Sequence, residues 1–110
     1  MRKLPALSAM KIFEVVGQTR SFTRAADRLN LTQSAVSRQI KDLESQIGVL
    51  LFERVRQRPV LSDAGQNFLP EVRRLLNQSE EMMVRAMASA RSDSSLSIAS
   101  LPTFGSRWLT

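Results

Sequence analysis

Residues 23–44 constrain the fold of this chain more than any other stretch, because a short helix-compatible run is followed by a longer one whose apolar residues gather on one side. Val36, Ile40, Leu43 and Ile47 recur at steps of four, three and four, which at about 100° per residue brings them within about 60° of arc. Gln33, Ser34, Ser37, Arg38 and Lys41 occupy the other side. Upstream, Thr23 to Leu29 offers Ala25, Ala26 and Leu29 for packing, and the small alanines allow a crossing helix to come close. Between the two runs Asn30 suits a left-handed turn, Leu31 is expected to plug the core, and Thr32 is a good N-cap. Two helices joined by a tight polar turn make a helix-turn-helix. Taken alone, the polar face reads more readily as an ordinary solvated surface, as most such faces on amphipathic helices are. Its Gln, Ser, Arg and Lys are also the side chains that bind base edges and phosphates.

The rest of the chain organises around this unit. A first helix is expected from about Ser8, as N-cap, to Gly17, as C-cap, with Met10, Phe13 and Val16 buried. Ser21 is a candidate cap for the second helix, and Phe22 is read as a core aromatic. From Leu51 to Leu61, apolar Leu51, Phe52 and Val55 are interleaved with Arg54, Arg56 and Arg58 before Pro59, Val60 and Leu61. The pattern predicts two short strands with a basic tip, a wing, with Pro59 at an edge that needs no ladder donor. Leu50 reads as a partly exposed contact. Ser62 then caps a long helix to about Ala90, with Asp63 in its first turn, where negative charge complements the dipole. Phe68, Val72, Leu75, Leu76, Met82, Met83, Ala86, Met87 and Ala90 form one stripe along it, and Pro70 falls in an early turn. Such a helix is about 42 Å long, more than the preceding core can cover, so the stripe is expected to pair with a second chain.

Charge is uneven. Residues 1–61 carry eleven Lys and Arg against five Asp and Glu, residues 62–93 four against five, and Arg107 completes the formal net charge of +6. A basic surface on the first part attracts phosphate, although anionic lipid or an acidic protein would respond to the same field. The chain has no cysteine and no histidine, which removes disulfides and thiolate metal sites and leaves little from which to build a zinc site. The apolar residues near the N-terminus are interrupted by Lys11 and Glu14, so Ile12, Phe13, Val15 and Val16 read as a buried helix face and not as a signal peptide. No stretch reaches the length of a membrane span, and a cytoplasmic location is expected.

Ala25-Ala26, the run Gln33-Ser34-Ala35-Val36-Ser37-Arg38-Gln39-Ile40, Leu43-Glu44, Gly48, Leu51-Phe52, Arg54 and Ala64-Gly65 together resemble the N-terminal domain of the LysR-type transcriptional regulators. The resemblance implies a mainly α winged helix-turn-helix, three helices plus a two-stranded wing, followed by a long dimerisation helix. It divides the chain into a DNA-binding domain at 1–61, a linker helix at 62–91, a hinge at 92–95, and the start of an effector-binding domain at 96–110. That tail is similar to its counterpart in the subgroup that includes the glycine-cleavage activator and the β-lactamase regulators. The chain is therefore expected to be a piece of a longer regulator, with any small-molecule effector bound by the missing part and no cofactor of its own.

By position and by match to the family's motif, Gln33, Ser34, Ser37 and Arg38 are the expected base readers, with Arg38 suited to guanine and Gln33 to adenine. Lys41, Arg54, Arg56 and Arg58 are assigned to phosphate or the minor groove, Ser21 and Thr23 to a helix start facing phosphate, and Thr32, the cap of the next helix, is counted with the DNA-binding residues. The expected partner is duplex DNA carrying an interrupted inverted repeat, bound by a homodimer, or by a tetramer in the intact protein. The rival readings are a winged-helix protein-interaction module without DNA binding, against which Arg38 and Lys41 argue, and an enzyme. For the enzyme the chain offers no phosphate-cradling glycine loop and no convergent carboxylate pair.

Overall fold

The computed structural model describes residues 5–93. Its elements run α1 (Leu7–Thr19), α2 (Phe22–Leu29), α3 (Gln33–Ile47), β1 (Phe52–Val55), β2 (Arg58–Leu61) and α4 (Asp63–Asp93). The chain divides into two compact units, residues 1–76 and 77–110, of which the first holds the core and the second, within the described residues, is the remaining length of α4. The three short helices and the antiparallel hairpin form a winged helix-turn-helix.

The core forms where the apolar faces of α1, α2 and α3 meet the inner side of the hairpin. Val36, Ile40 and Leu43 are buried from α3, Ala25 and Ala26 from α2, and Ile12, Phe13, Val15 and Val16 from α1, while Leu29 and Ile47 pack at the margin. Phe13 lies between two other rings, with centroid distances of 5.4 Å to Phe52 of β1 and 5.3 Å to Phe68 of α4. These tilted contacts join the first helix to the wing and to the start of the last helix, in the geometry aromatic rings prefer.

The helix ends differ from expectation at α1. Its N-cap is Ala6, without a side-chain bond, and Ser8 lies inside the helix. Gly17 is interior too; the helix closes at Arg20, which is left-handed at φ 55° and donates its N–H to the Val16 carbonyl at 2.8 Å. Met10 is only partly covered, because Ile12 and Ala9 take the inward positions. Leu31 does not plug the core: its N–H returns to the Ala26 carbonyl after left-handed Asn30, and the side chain is left exposed. Leu50 is more exposed than expected, with Leu51 taking the buried position beside it. The remaining caps are as expected, Ser21 accepting from Arg24 N at 3.1 Å, Thr32 from Ala35 N at 3.1 Å and Ser62 from Gly65 N at 3.0 Å.

Helix α4 runs three residues past Ala90, so Ser92 and Asp93 of the expected hinge belong to it, while the rest of the hinge and the tail at 96–110 lie outside the described residues. Pro70 is the helix's eighth residue, well inside it, where it has no N–H for the Gln66 carbonyl. Burial of Leu69 and Val72 on either side offsets that loss. The apolar stripe also divides: Val72 is 1% exposed within this chain and Phe68 and Leu76 pack on the same core. Val72, buried at home, has no surface to offer a second chain and is corrected from interface to core, whereas Phe68 and Leu76 are only partly covered by this chain. Leu75, Met82 and Met83 are 40%, 59% and 45% exposed; Ala86 is exposed and Met87 half-buried.

Two glycines test this packing in opposite directions. A Cβ on Gly65 would stand 2.2 Å from the Leu51 carbonyl oxygen and 3.0 Å from a Leu61 methyl, whereas one on Gly17 would make ordinary contacts with methyls of Leu69 at 3.4 and 3.8 Å and of Leu61 at 3.9 Å. Gly65→Ala is therefore expected to lower unfolding free energy by about 1–3 kcal/mol or more, and Gly17→Ala to leave it unchanged or raise it by about 0.5–1 kcal/mol. Thermal or urea unfolding followed by circular dichroism checks both; equal effects would contradict the packing described.

Candidate nucleic-acid interface

The site begins with the caps that set the directions of α2 and α3. Asn30 stands at φ 56°, ψ 44°, turning the chain sharply after α2, and Thr32 starts α3 with its hydroxyl accepting the Ala35 N–H. With Val36, Ile40 and Leu43 buried, α3 can turn only one side to solvent. Gln33, Ser34, Arg38 and Lys41 are exposed there, and Ser37 is half-buried.

These residues do not lie on a flat helix surface. Gln33, Ser34, Ser37, Arg38, Lys41 and Asp42 form one wall of a shallow trough whose other wall is Arg54, contributed by β1. The hairpin delivers Arg54 because Phe52, Arg54, Pro59 and Leu61 share its inward face, with Phe52 opposite Leu61 and Arg54 opposite Pro59. The Arg54 guanidinium lies over the Phe22 ring, 5.2 Å from its centroid. None of Arg38, Lys41, Arg54, Arg56 and Arg58 enters an ion pair among the described residues, and Asp42 is the single acidic side chain bordering the trough.

A second cleft lies between the start of α2 and the wing, lined by Arg20, Ser21, Thr23 and Arg24 on one side and by Gln57, Arg58 and Pro59 on the other. Gln33 borders both clefts. The Thr23 hydroxyl donates to the Gln33 side-chain carbonyl at 3.1 Å, a bond that does not use the amide NH2 of Gln33. The sequence-derived set thus separates in space. Gln33, Ser34, Ser37, Arg38, Lys41 and Arg54 come together in the trough, Ser21, Thr23 and Arg58 in the second cleft, and Thr32 caps the helix between them. Arg56 stands apart at the hairpin turn.

Sequence reasoning missed Arg20, Arg24 and Gln57 as cleft residues, and Asp42 as the one acidic member of the trough. Arg20 and Arg24 flank the Ser21 cap, a signal present in the sequence for a basic helix start. The link between Arg54 and Phe22 had no such signal, because the two lie on different elements.

Comparison with known proteins places this geometry. The family model of bacterial regulatory helix-turn-helix proteins of the lysR family matches residues 7–66, from α1 to the first turn of α4. The glycine cleavage system transcriptional activator of Escherichia coli (strain K12) is 35% identical over 108 residues, covering 98% of this chain and 35% of that protein. The chain therefore spans about a third of the length of the curated relatives it matches. Two solved structures are similar in fold and sequence. The CbnR DNA-binding domain in complex with DNA has a TM-score of 0.73 at 34% identity, covering 78% of this chain and 99% of that one. The BenM DNA-binding domain with catB site 1 DNA has a TM-score of 0.75 at 32% identity, covering 77% and 96%.

The Thr32 cap is open to direct test. Thr32→Ala removes the acceptor for the Ala35 N–H and is expected to lower stability by about 0.5–2 kcal/mol, while Thr32→Asp retains an acceptor and should lose little. Urea denaturation of the two variants checks this; equal losses would mean that the hydroxyl bond does not support the helix start.

Proposed function

The chain belongs to the lysR family of bacterial regulatory helix-turn-helix proteins, and from that premise we propose that it is the DNA-binding part of a transcriptional regulator, reading duplex DNA as a homodimer in the cytoplasm. The observation that carries the reading is the trough in which Gln33, Ser34, Ser37, Arg38 and Lys41 of the exposed α3 face meet Arg54 of β1, with three cations outside any ion pair against the single acid Asp42. An α-helix fits the major groove of B-form DNA, and Arg and Gln there can pair with guanine and adenine edges. The cleft at Ser21, Thr23 and Arg58 suits a phosphate of the flanking backbone, reached by the first N–H groups of α2. The relatives named above are regulators or DNA-binding domains, not enzymes. Among the described residues no helix is long and apolar enough to cross a membrane.

Dimerisation rests on α4. Leu75, Met82 and Met83 leave a row of apolar side chains in solvent at helical spacing, and a second copy related by a two-fold axis would cover the same row on its partner. Two α3 helices delivered by such a dimer would select an interrupted inverted repeat.

The assignment of base-reading and backbone roles predicts unequal effects. Arg38→Ala should cost about 1–3 kcal/mol on a duplex selected from a random library by the wild-type chain, and should flatten preference at one base pair. Arg56→Ala should weaken selected and random duplexes alike and reduce the log–log salt slope by about 1. Fluorescence anisotropy titrations over a range of salt concentrations separate the two; a flat salt dependence for the wild type would overturn the nucleic-acid reading.

The dimer interface gives a second expectation. Leu75→Glu with Met82→Glu sets like charges across the two-fold axis and removes burial worth about 1.5–3 kcal/mol per side chain. Sedimentation should show a monomer with its winged-helix core still folded, and affinity for a full inverted repeat should fall far more than for a half-site. A double variant still dimeric at micromolar concentration would show that the row packs elsewhere.

A further inference from the structure

We propose that Phe22 is a positioning residue for DNA recognition: its ring holds the Arg54 guanidinium beside α3, so that Arg54 works with the reading helix as part of one surface. This rests on the DNA-binding reading above and adds to it a role for a residue that carries no hydrogen-bonding group of its own.

Three observations converge. The Arg54 guanidinium carbon is 5.2 Å from the centroid of the Phe22 ring, within the range of a cation–π contact, and Arg is the cation that stacks best on an aromatic face. Arg54 forms the wall of the trough opposite Ser34, Ser37 and Arg38, although it belongs to the hairpin and they belong to the helix. Beneath it, Phe22 and Pro59 line a smaller cleft that also reaches Ser37 and Lys41, so the ring lies between the wing and the reading helix. The backbone of β1 is fixed just before this point, since Glu44 of α3 accepts from Leu51 N at 2.8 Å and from Phe52 N at 3.2 Å through one carboxylate oxygen.

Among the described residues Arg54 has no acidic partner to hold it. A carboxylate there would orient the guanidinium but would also neutralise the charge that attracts DNA and occupy the donors it needs. A ring orients it through the flat face and leaves all five N–H donors at the rim. Phe22 is half-buried, packed on the core from the first position of α2, and so is itself held in place.

A double-mutant cycle tests the coupling, using a duplex selected by the wild-type chain and a random-sequence duplex of equal length. Arg54→Ala is expected to weaken binding to the selected duplex by about fivefold or more. Phe22→Leu keeps apolar volume but loses the ring, and should weaken it about two- to fivefold, with Phe22→Tyr restoring most of the loss. In the Arg54→Ala background, Phe22→Leu should have no further effect. Independently of DNA, NMR should show the ring-current shifts of the Arg54 side-chain protons in the wild type and in Phe22→Tyr but not in Phe22→Leu. Should Phe22→Leu fail to fold, Arg54→Met carries the test, since it removes charge and fork while keeping the chain's length over the ring. Additive losses, or unchanged Arg54 shifts in Phe22→Leu, or an Arg54→Met variant that binds as the wild type does, would overturn this inference while leaving DNA binding intact. A wild-type chain that bound neither duplex would overturn both.

Discussion

The backbone of Leu51 is the point on which the arrangement of helices and wing depends. Its side chain is fully buried, so its N–H and C=O must find partners within the protein. The N–H donates to the Glu44 carboxylate of α3, and the C=O accepts from Ser62 N at 2.9 Å, at the cap of α4. The Ser62 hydroxyl at the same time donates to the Leu50 carbonyl at 2.6 Å. One residue between α3 and β1 is thus tied to the reading helix on one side and to the last helix on the other. Gly65 lets α4 approach that carbonyl more closely than any side chain would allow. The bonds to Glu44 are charge-assisted, the stronger kind, and removing the carboxylate would leave two peptide N–H groups without it.

Helical periodicity made much of this fold legible in the sequence. Val36, Ile40 and Leu43, Ala25 and Ala26, and the caps Ser21, Thr32 and Ser62 act locally, through the spacing of a helix or the turn before it, and all stand where that logic puts them. The outward face of α3 followed from the same periodicity by subtraction. What escaped the sequence has two sources, contacts between elements distant along the chain and local backbone geometry that overrides residue type, as at the ends of α1. Glu44 sits on a helix and resembles any solvated acid until the segment seven and eight residues later folds back onto it. Leu31 looks apolar enough to be buried, but the left-handed turn at Asn30 directs its N–H inward and its side chain out.

The stripe on α4 shows why periodicity identifies an apolar face without saying what covers it. Phe68, Val72, Leu75, Leu76, Met82 and Met83 share one pattern in the sequence, yet the first two and Leu76 close the chain's own core while Leu75, Met82 and Met83 stay in solvent. Leu75 and Leu76 are adjacent and of one type, yet the first is exposed and the second packs on the core, so the division follows the direction each residue faces. Beyond Leu76 the stripe continues mainly in methionines, Met82, Met83 and Met87, whose flexible side chains adapt to an interface more readily than branched ones.

The wing is the element least able to hold itself. A two-stranded hairpin is marginal in water, and its turn here sets Arg56 at φ 52° and Gln57 at φ 65°, both left-handed. Turns of this kind favour Asn-Gly, and each other L-residue in that region costs about 1–2 kcal/mol. A sequence selected for hairpin stability alone would not place Arg and Gln there. Their presence exchanges local stability for long polar side chains at the tip. The order of the wing must then come from elsewhere: from Glu44 at the start of β1, from Phe22 beneath Arg54, and from Pro59, which buries its ring opposite Arg54. All three supports connect to the helix-turn-helix, so the direction of the basic tip is set by the helices that form the reading face and not by its own turn.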